Sequence, residues 1–438
     1  MNWAARFRVG QYVRGSLWVL PLIGGVSGAI LGSVDVMVDQ SLTLPSSLTY
    51  SASTASTVLA SIVGAAAALT GFVVTVTVLV VQMATGTFSA RYMRLWYRDH
   101  VLKALLALLI GTLSFAFSLL RHVEANFVPN LGTSIAGALL LIGLLLFVIF
   151  LDRFLHRLRP VAVAALVSDY VRRDFARIER ALAAAPDVYW GVAGLDDTPT
   201  LVVRSENRGA IQALDVRSLV RWAREHRALV VVRHSMGDFV PTGATLLEVY
   251  GGDGFAPGAE AELRELVALG AERTIEQDPG FAVRIMVDIA DKALSAAVND
   301  PTTAVQVLDY LSDVLRLIGT VDFTAARWNP SDPAAAGVVI PVRRWEEYLA
   351  LATTEIREYG AGSIQVMRRM RAMLLELHEE VLPPHRAAVE EELMRLDATV
   401  ARSFGDSIDI DRASMADAQG IGGRVTPAPS PVTSQDAN

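Results

Sequence analysis

The sequence of 438 residues contains no cysteine and only two lysines, Lys103 and Lys292. The absence of cysteine excludes disulfide bonds, thiolate catalysis and zinc sites built from cysteine ligands. The sequence also contains no Walker loop, no Gly-x-Ser-x-Gly nucleophile turn and no His-Glu-x-x-His pair. We therefore expect neither enzyme activity nor a bound cofactor.

Charged residues are absent from four long windows within the first 152 residues. No Asp, Glu, Lys or Arg occurs between Asp39 and Arg91, a window about twice as long as one membrane crossing needs. The hydrophobic fraction of 52% is also high for a chain surrounded by water. The windows predict four helices that span a lipid bilayer, at Ser16–Leu31, Ser56–Met83, Ala104–Leu120 and Leu131–Leu151.

The first window admits two interpretations. Basic residues followed by an apolar core, here Arg6, Arg8 and Arg14 before Ser16, are also the pattern of a secretory signal peptide. No clear small-x-small cleavage site follows, and the apolar core is long. We therefore expect a retained signal anchor in a multi-pass protein.

The distribution of arginine predicts the orientation of the spans. The N-terminal arm, the second connection and the segment after the fourth span are basic. In contrast, the first connection (Val38–Ala55) has no basic residue and the third has only Arg121. Because basic connections remain in the cytoplasm, we expect both termini to be cytoplasmic in a bacterial inner membrane.

The charge balance differs between the two parts of the chain. Residues 1–159 carry 11 Lys and Arg against 5 Asp and Glu, whereas residues 160–438 carry 28 against 41. An acidic soluble part argues against nucleic-acid binding, since phosphates would be repelled. The predicted fold is a membrane all-α bundle joined to a cytosolic α+β domain. We expect a transmembrane domain (1–159), a connecting amphipathic helix and linker (160–198), a β-rich module (199–256), a helical domain (257–423) and a disordered tail (424–438).

Small residues recur every four positions in the second predicted span. Such ridges let helix backbones approach closely in lipid, and the interspersed polar groups need partners there. One alternative is tight packing within the four-helix unit. The other is a homo-oligomer whose second spans surround a polar pore. The candidate residues are Ser56, Ala60, Gly64, Ala68, Thr70, Gly71, Thr75, Thr77 and Gln82.

Short apolar runs separated by Gly and Asn predict the β-rich module. Within it, Asp215 is expected to cap a helix that ends near His226. The stretch Gly237–Leu246 resembles the Gly-Asp-x-Val-x-x-Gly turn of barrel-sandwich modules such as biotinyl and lipoyl carriers. Those carriers attach their cofactor to a lysine at a hairpin tip, and this module has no lysine. The resemblance therefore predicts a barrel-sandwich-like fold with no attached cofactor.

Four stretches resemble one bacterial family. They are Arg273–Ala304, Val80–Ala84 with Phe88–Arg91, Ile356–Gly360 and Asp417–Gly422. Over nearly the whole chain, the sequence resembles the predicted membrane proteins of domain of unknown function 2254. That resemblance implies four spans and a cytosolic domain. It implies no catalytic residue.

The best polar cluster in the soluble part consists of Asp278, Arg284, Asp288, Asn299 and Asp300. One alternative is structural: Asp278 and Asp300 cap helices that begin at the following prolines, and Arg284 pairs with Asp288 four residues later. The other is a pocket for a small ligand or a divalent cation, which prefers such oxygen ligands.

The histidines predict no metal site. His378 and His385 lie among glutamates, and a proline pair separates them, so we expect a solvated acidic surface. Our hypothesis is a homo-oligomeric pore with a regulatory cytosolic domain. The competing hypothesis is a non-conducting membrane anchor that presents the cytosolic domain as a sensor or scaffold.

Overall fold

The computed structural model describes residues 2–39, 49–87, 99–157, 159–184, 187–190, 198–252, 254–322 and 336–422. The predicted disordered tail lies outside these residues, as do Arg91, Arg94 and Arg98 of the second connection.

Four helices of the N-terminal region are long and apolar enough to cross a membrane, as the sequence predicts. A short helix, α1, precedes them. The bounds of the five helices are α1 Trp3–Gly15, α2 Val19–Asp39, α3 Ala52–Thr87, α4 His100–Leu120 and α5 Asn130–Arg157.

Helix α2 continues past the predicted end at Leu31 because its acidic residues are sheltered. Asp35 and Asp39 are both buried, and the side chain of Asp39 accepts a hydrogen bond from the backbone N–H of Asn130 at 2.5 Å. Asn130 is the first residue of α5, where backbone N–H groups lack partners within the helix. The carboxylate therefore caps α5 while it ends α2.

Helix α4 is the most buried of the four spans and packs against α2 through glycines. A Cβ at Gly24 would overlap the carbonyl oxygen of Ala107, and a Cβ at Gly28 would overlap that of Gly111. The ridge of small residues that brings two helix backbones together thus lies in α2, where Gly24, Gly28 and Gly32 are spaced by four.

Helix α6 leads from the membrane region into an α/β region with two small sheets. The five-stranded sheet has the order β1-β8-β4-β6-β2, and the three-stranded sheet has the order β5-β3-β7. The elements are α6 Pro160–Ala184, β1 Val188–Trp190, β2 Leu201–Arg204, β3 Gly209–Leu214, α7 Val216–Glu225, β4 Ala228–Val232, β5 Phe239–Val240, β6 Thr245–Gly251, α8 Ala259–Arg264, β7 Val267–Gly270 and β8 Gly337–Ile340.

This architecture differs from a self-contained barrel-sandwich module over 199–256. Strands β1 and β8 come from outside that range, and β8 pairs in parallel with both β1 and β4. Strand β7, also outside it, completes the smaller sheet by pairing with β3. The predicted helix is confirmed: α7 begins after Asp215, whose side chain accepts from the N–H of Ser218.

The C-terminal part is helical. Its elements are α9 Pro279–Leu294, α10 Pro301–Gly319, α11 Trp345–Tyr359, α12 Ile364–Glu380, a 3-10 turn at Pro383–His385, α13 Arg386–Ser403 and α14 Ser407–Ala413. One core joins these helices to the membrane bundle: Leu105 and Leu109 of α4, Phe150 of α5 and Val167 of α6 are buried in the same cluster as Leu308 of α10. The C-terminal helices therefore reach the bundle mainly through α6, within one continuous core.

Candidate functional site

The segment Arg273–Asp278, which we call the joint, links the β-rich region to the helical core. Asp278 caps α9, since its Oδ1 accepts from the N–H of Phe281 at 2.9 Å. Its Oδ2 accepts from Nη2 of Arg273 at 2.9 Å, and the same nitrogen donates to the carbonyl oxygen of Met236 at 3.3 Å. One guanidinium group thus connects the first turn of α9 to the loop before β5.

Gln277 makes a second link across the joint. Its Oε1 accepts from the N–H of Leu214 at 3.0 Å, and its Nε2 donates to the carbonyl oxygen of Leu214 at 3.3 Å. The side-chain amide therefore pairs with the last residue of β3 as a neighbouring strand would. Gln277 has a φ of 56°, in the left-handed region that costs energy for a residue with a Cβ. This backbone conformation places the side chain of Gln277 where both of its hydrogen bonds to Leu214 can form.

The carboxylate of Asp278 is buried between cationic groups. Burial raises the pKa of Asp278 above its usual range, and the charges of Arg273 and Arg343 limit that rise. Tyr348, also buried, has its pKa raised by burial and by the charge of Asp278. Breaking the contact with Arg273 would leave a buried acid without its ion-pair partner, which is strongly destabilising.

Three carboxylates of α9 and α11 surround Arg284, and we call this group the acidic cluster. Asp288 accepts from Nε of Arg284 at 2.6 Å, Glu355 pairs with Nη1, and Asp291 lies 3.8 Å from Nη2. Burial is the largest cause that raises the pKa of Asp291, to about 7, and the negative charge of Glu355 adds to it. One guanidinium does not neutralise three carboxylates, so this cluster can hold a proton near neutral pH.

Asn299 and Asp300 lie at the other end of α9, about 24 Å from Asp278 for a helix of this length. Asp300 caps α10 by accepting from the N–H of Thr303 at 3.1 Å, and Asn299 is exposed with a φ of 49°. The two caps and the Arg284–Asp288 pair of the structural alternative are present. The five candidate residues do not form one pocket, because α9 separates them into three places.

The candidate residues of α3 lie mostly on its outward face. Ala60, Gly64, Ala68, Gly71, Thr75 and Gln82 are exposed, Ser56 and Thr70 are half-buried, and Thr77 is buried. A Cβ at Gly64 or Gly71 would meet no atom within 4 Å. Packing within the bundle uses the opposite side of α3, with Leu59, Ala66 and Val73. Within the single chain, Ala60, Gly64 and Ala68 therefore face outward and are not buried against the other described helices of the bundle.

The two C-terminal histidines have different environments. His378 is close to Glu390 on the surface, with 2.9 Å between Nε2 and a carboxylate oxygen. His385 is buried, stacks on Trp345, and places Nδ1 2.9 Å from the carbonyl oxygen of Gly319. The prediction of a solvated surface was wrong for His385, because the 3-10 turn at the proline pair directs its ring into the core. Within the part of the chain that the structure describes, no group of three His, Asp or Glu side chains could hold a metal ion.

Comparison with known proteins identifies the family. The model of the family described as "Predicted membrane protein (DUF2254)" matches residues 14–376. The chain belongs to the DUF2254 family. Uncharacterized proteins of Mycobacterium tuberculosis (strains CDC 1551 / Oshkosh and H37Rv) and of Mycobacterium bovis are each 29% identical over 427 residues. Those alignments cover 91% of this chain and 79% of each relative. No solved structure matches.

Two segments that carried the DUF2254 resemblance have clear structural roles. The joint begins the stretch Arg273–Ala304. In the stretch Asp417–Gly422, the buried carboxylate of Asp417 accepts from the N–H groups of Gln419, Gly420 and Gly422 at 2.8–3.1 Å. This second stretch lies beyond the residues that the family model matches. Both segments fix backbone conformation by hydrogen bonding to a buried carboxylate or amide.

Several important residues of this DUF2254 protein were not among the sequence candidates. Arg273 and Gln277 make the hydrogen bonds across the joint, and Asp291 and Glu355 complete the acidic cluster. Asp291 lies seven residues after Arg284, so helical spacing alone could have found it. Glu355 comes from another helix, and no local pattern could have found it.

Proposed function

We propose that this protein is a homo-oligomeric, channel-like protein of the bacterial cytoplasmic membrane, regulated by its soluble part. The observation that carries the proposal is the outward face of α3, on which Ala60, Gly64, Ala68 and Gly71 are exposed along one side of a membrane span. Within lipid, small residues favour close helix association, and among the described residues no atom lies within 4 Å of a Cβ placed at Gly64 or Gly71.

A second copy of the chain is the partner that best fits this face. Close approach at Gly64 and Gly71 would bring α3 helices together around a common axis. Thr75 and Gln82 lie on the same side of α3 as these glycines. In the oligomer they would face the common axis and supply polar groups to an ion pathway along it.

The C-terminal helices are suited to regulation because one continuous hydrophobic core joins them to the bundle through α6. The common core of α4, α5, α6 and α10 provides a continuous packed contact through which a conformational change can be transmitted. The joint then connects this helical core to the three-stranded sheet, through Leu214 of β3 and the loop before β5.

The orientation supported best places both termini in the cytoplasm. Alternate connections are basic, which favours the cytoplasmic side. In addition, the N–H of Ala4 in α1 donates to the carbonyl oxygen of Glu265, next to β7, at 3.2 Å. The amino terminus is therefore at the same end of the bundle as the soluble part.

Ion flux through proteoliposomes tests this proposal. The wild-type protein should release a panel of trapped ions, and Gly64→Leu should abolish release because a large side chain blocks close approach of α3 helices. Leu141→Ala, at an exposed site on α5, is the matched control and should conduct like the wild type. Vesicles that stay sealed to every ion and under osmotic shock would contradict the proposal.

The second candidate is a non-conducting anchor that presents the soluble part as a sensor or scaffold. Its support is that hydroxyl groups on α3 already have partners: Thr57, Ser61 and Thr75 each donate to the carbonyl oxygen four residues earlier. Because these hydroxyl groups are already hydrogen-bonded, the face can contact lipid directly and need not line a pore. Crosslinking in cells separates the two. Self-crosslinks through Ala60→Cys and Gly64→Cys favour the pore, whereas a reproducible different protein captured by the soluble part favours the scaffold.

A further inference from the structure

Helix α1 lies between the small sheet and the membrane bundle. Trp3, Ala4 and Phe7 pack against Ala213 of β3 and Ala268 of β7. At the other end of α1, Nζ of the buried Lys103 donates to the carbonyl oxygens of Val13 and Arg14. Because Lys103 belongs to the first turn of the membrane span α4, this contact fixes the end of α1 at the membrane boundary.

The opposite face of α1 is apolar and exposed. Val9, Tyr12 and Val13 are 49%, 61% and 43% exposed. At 100° per residue these three side chains form one strip, and Arg6 and Arg8 lie on its two sides. An apolar strip between arginines is the pattern of a helix that lies in the interface of a bilayer, where the guanidinium groups reach phosphates.

The exposed strip is continuous with the surface that faces lipid. Trp18 immediately precedes α2, is 55% exposed, and donates through Nε1 to the hydroxyl of Tyr12 at 3.3 Å. Tryptophan and tyrosine are enriched at the boundary between membrane and water. Leu22 and Ile23, in the next turn, are exposed to the same degree as Trp18. The strip on α1 therefore joins the apolar surface of the first span without a break.

We propose that the outward face of α1 binds the headgroup layer of the adjacent leaflet and that Arg6 and Arg8 select anionic phospholipids there. The inward face of α1 is held by the small sheet, so α1 connects the lipid surface to the soluble part. This inference needs the protein to be in a membrane, and it does not depend on ion conduction.

Site-specific fluorescence in proteoliposomes tests the inference on the full chain, and the absence of cysteine makes single labelling straightforward. A bimane label is placed at Val9→Cys, and at Arg217→Cys as an exposed control on α7. The vesicles contain phosphatidylcholine alone or with 30% phosphatidylglycerol by design, together with a lipid that carries a nitroxide near the headgroup. Since each arginine at a surface contributes to binding of anionic lipid, quenching at position 9 should rise about twofold or more with phosphatidylglycerol. The label at position 217 should stay unquenched.

The charge dependence is tested with Arg6→Gln/Arg8→Gln in the Val9→Cys background. Quenching in phosphatidylglycerol vesicles should fall to the phosphatidylcholine level. Quenching at position 9 no greater than at position 217 would overturn the proposal that α1 lies in the interface. Equal quenching in both lipid mixtures, unchanged by the double substitution, would overturn the selection of anionic lipid.

Discussion

The guanidinium of Arg273 lies 2.9 Å from the carboxylate of Asp278 and also covers Gly237, where a Cβ would overlap it. Gly237 has a φ of 84° and introduces the turn before β5. The pair of Arg273 and Asp278 therefore fixes both the start of α9 and the position of the β-rich region. Together with the pairing of Gln277 and Leu214, it couples the two regions.

Replacing Arg273 by alanine should destabilise the protein by about 2 kcal/mol, because the buried Asp278 loses its charged hydrogen-bond donor while Arg343 remains nearby. The measurement is thermal unfolding of the purified protein in detergent. Arg412→Ala, which breaks an exposed pair with Asp409, is the control and should change stability by about 0.5 kcal/mol or less. Equal effects of the two substitutions would mean that the joint contributes no more than a surface ion pair.

Replacing Gln277 by alanine should expose the backbone of Leu214. Without the side-chain amide, the N–H and carbonyl groups of Leu214 lose the partners that Gln277 supplies. A net hydrogen bond is worth about 1 kcal/mol, so amide exchange at Leu214 should accelerate about fivefold to tenfold. Hydrogen exchange with mass spectrometry measures this, and peptides of α13 serve as the internal control. Unchanged protection at Leu214 would show that the amide pairing does not hold β3.

The glycines of α2 and α3 should respond oppositely to alanine. Gly28→Ala places a Cβ against the backbone of Gly111 and should cost about 1–3 kcal/mol through overpacking. Gly64→Ala adds a Cβ in open space and should be neutral or slightly stabilising for the single chain, since alanine favours helix. Thermal unfolding of both variants in detergent gives the comparison. Unchanged stability of Gly28→Ala would contradict the packing of α2 on α4.

Asp291 should make stability depend on pH. Its pKa is raised to about 7 in the folded protein, against an ordinary value near 4, so the native state binds more protons than the unfolded state between these pH values. Stability should therefore fall as pH rises from about 4 to 7. Asp291→Asn should flatten this dependence and raise the melting temperature at pH 8 by about 2 °C or more, with little effect at pH 5. The control is Asp313→Asn at pH 8. Its acid has a pKa lowered by a hydrogen bond from Arg172, so that substitution should destabilise the protein.

The elements that the sequence could predict are those whose signals are local. Long windows without charge specify the four spans, and the Asp-Pro pairs at 278 and 300 specify the starts of α9 and α10. The cap of α7 at Asp215 is equally local. Each of these caps has its partner three residues along the chain, and each span is specified by the composition of its own window, so a single sequence contains the information.

The elements that escaped prediction depend on contacts distant in sequence. Strand β8 is four residues long and pairs with β1 across about 150 residues, so no local pattern identifies its neighbours. The direction in which a small-residue ridge faces is also nonlocal. Gly24, Gly28 and Gly32 contact α4, whereas the similar ridge around Gly64 faces outward, and only the arrangement of the bundle distinguishes them.

The central claim is that chains associate through the outward face of α3. The most direct measurement is the mass of the particle extracted with its surrounding lipid, for the wild type and for Gly64→Leu, with Leu141→Ala as the control. The account predicts a whole multiple of the chain mass for the wild type and for Leu141→Ala, and the mass of one chain for Gly64→Leu. A wild-type particle with the mass of one chain would contradict it.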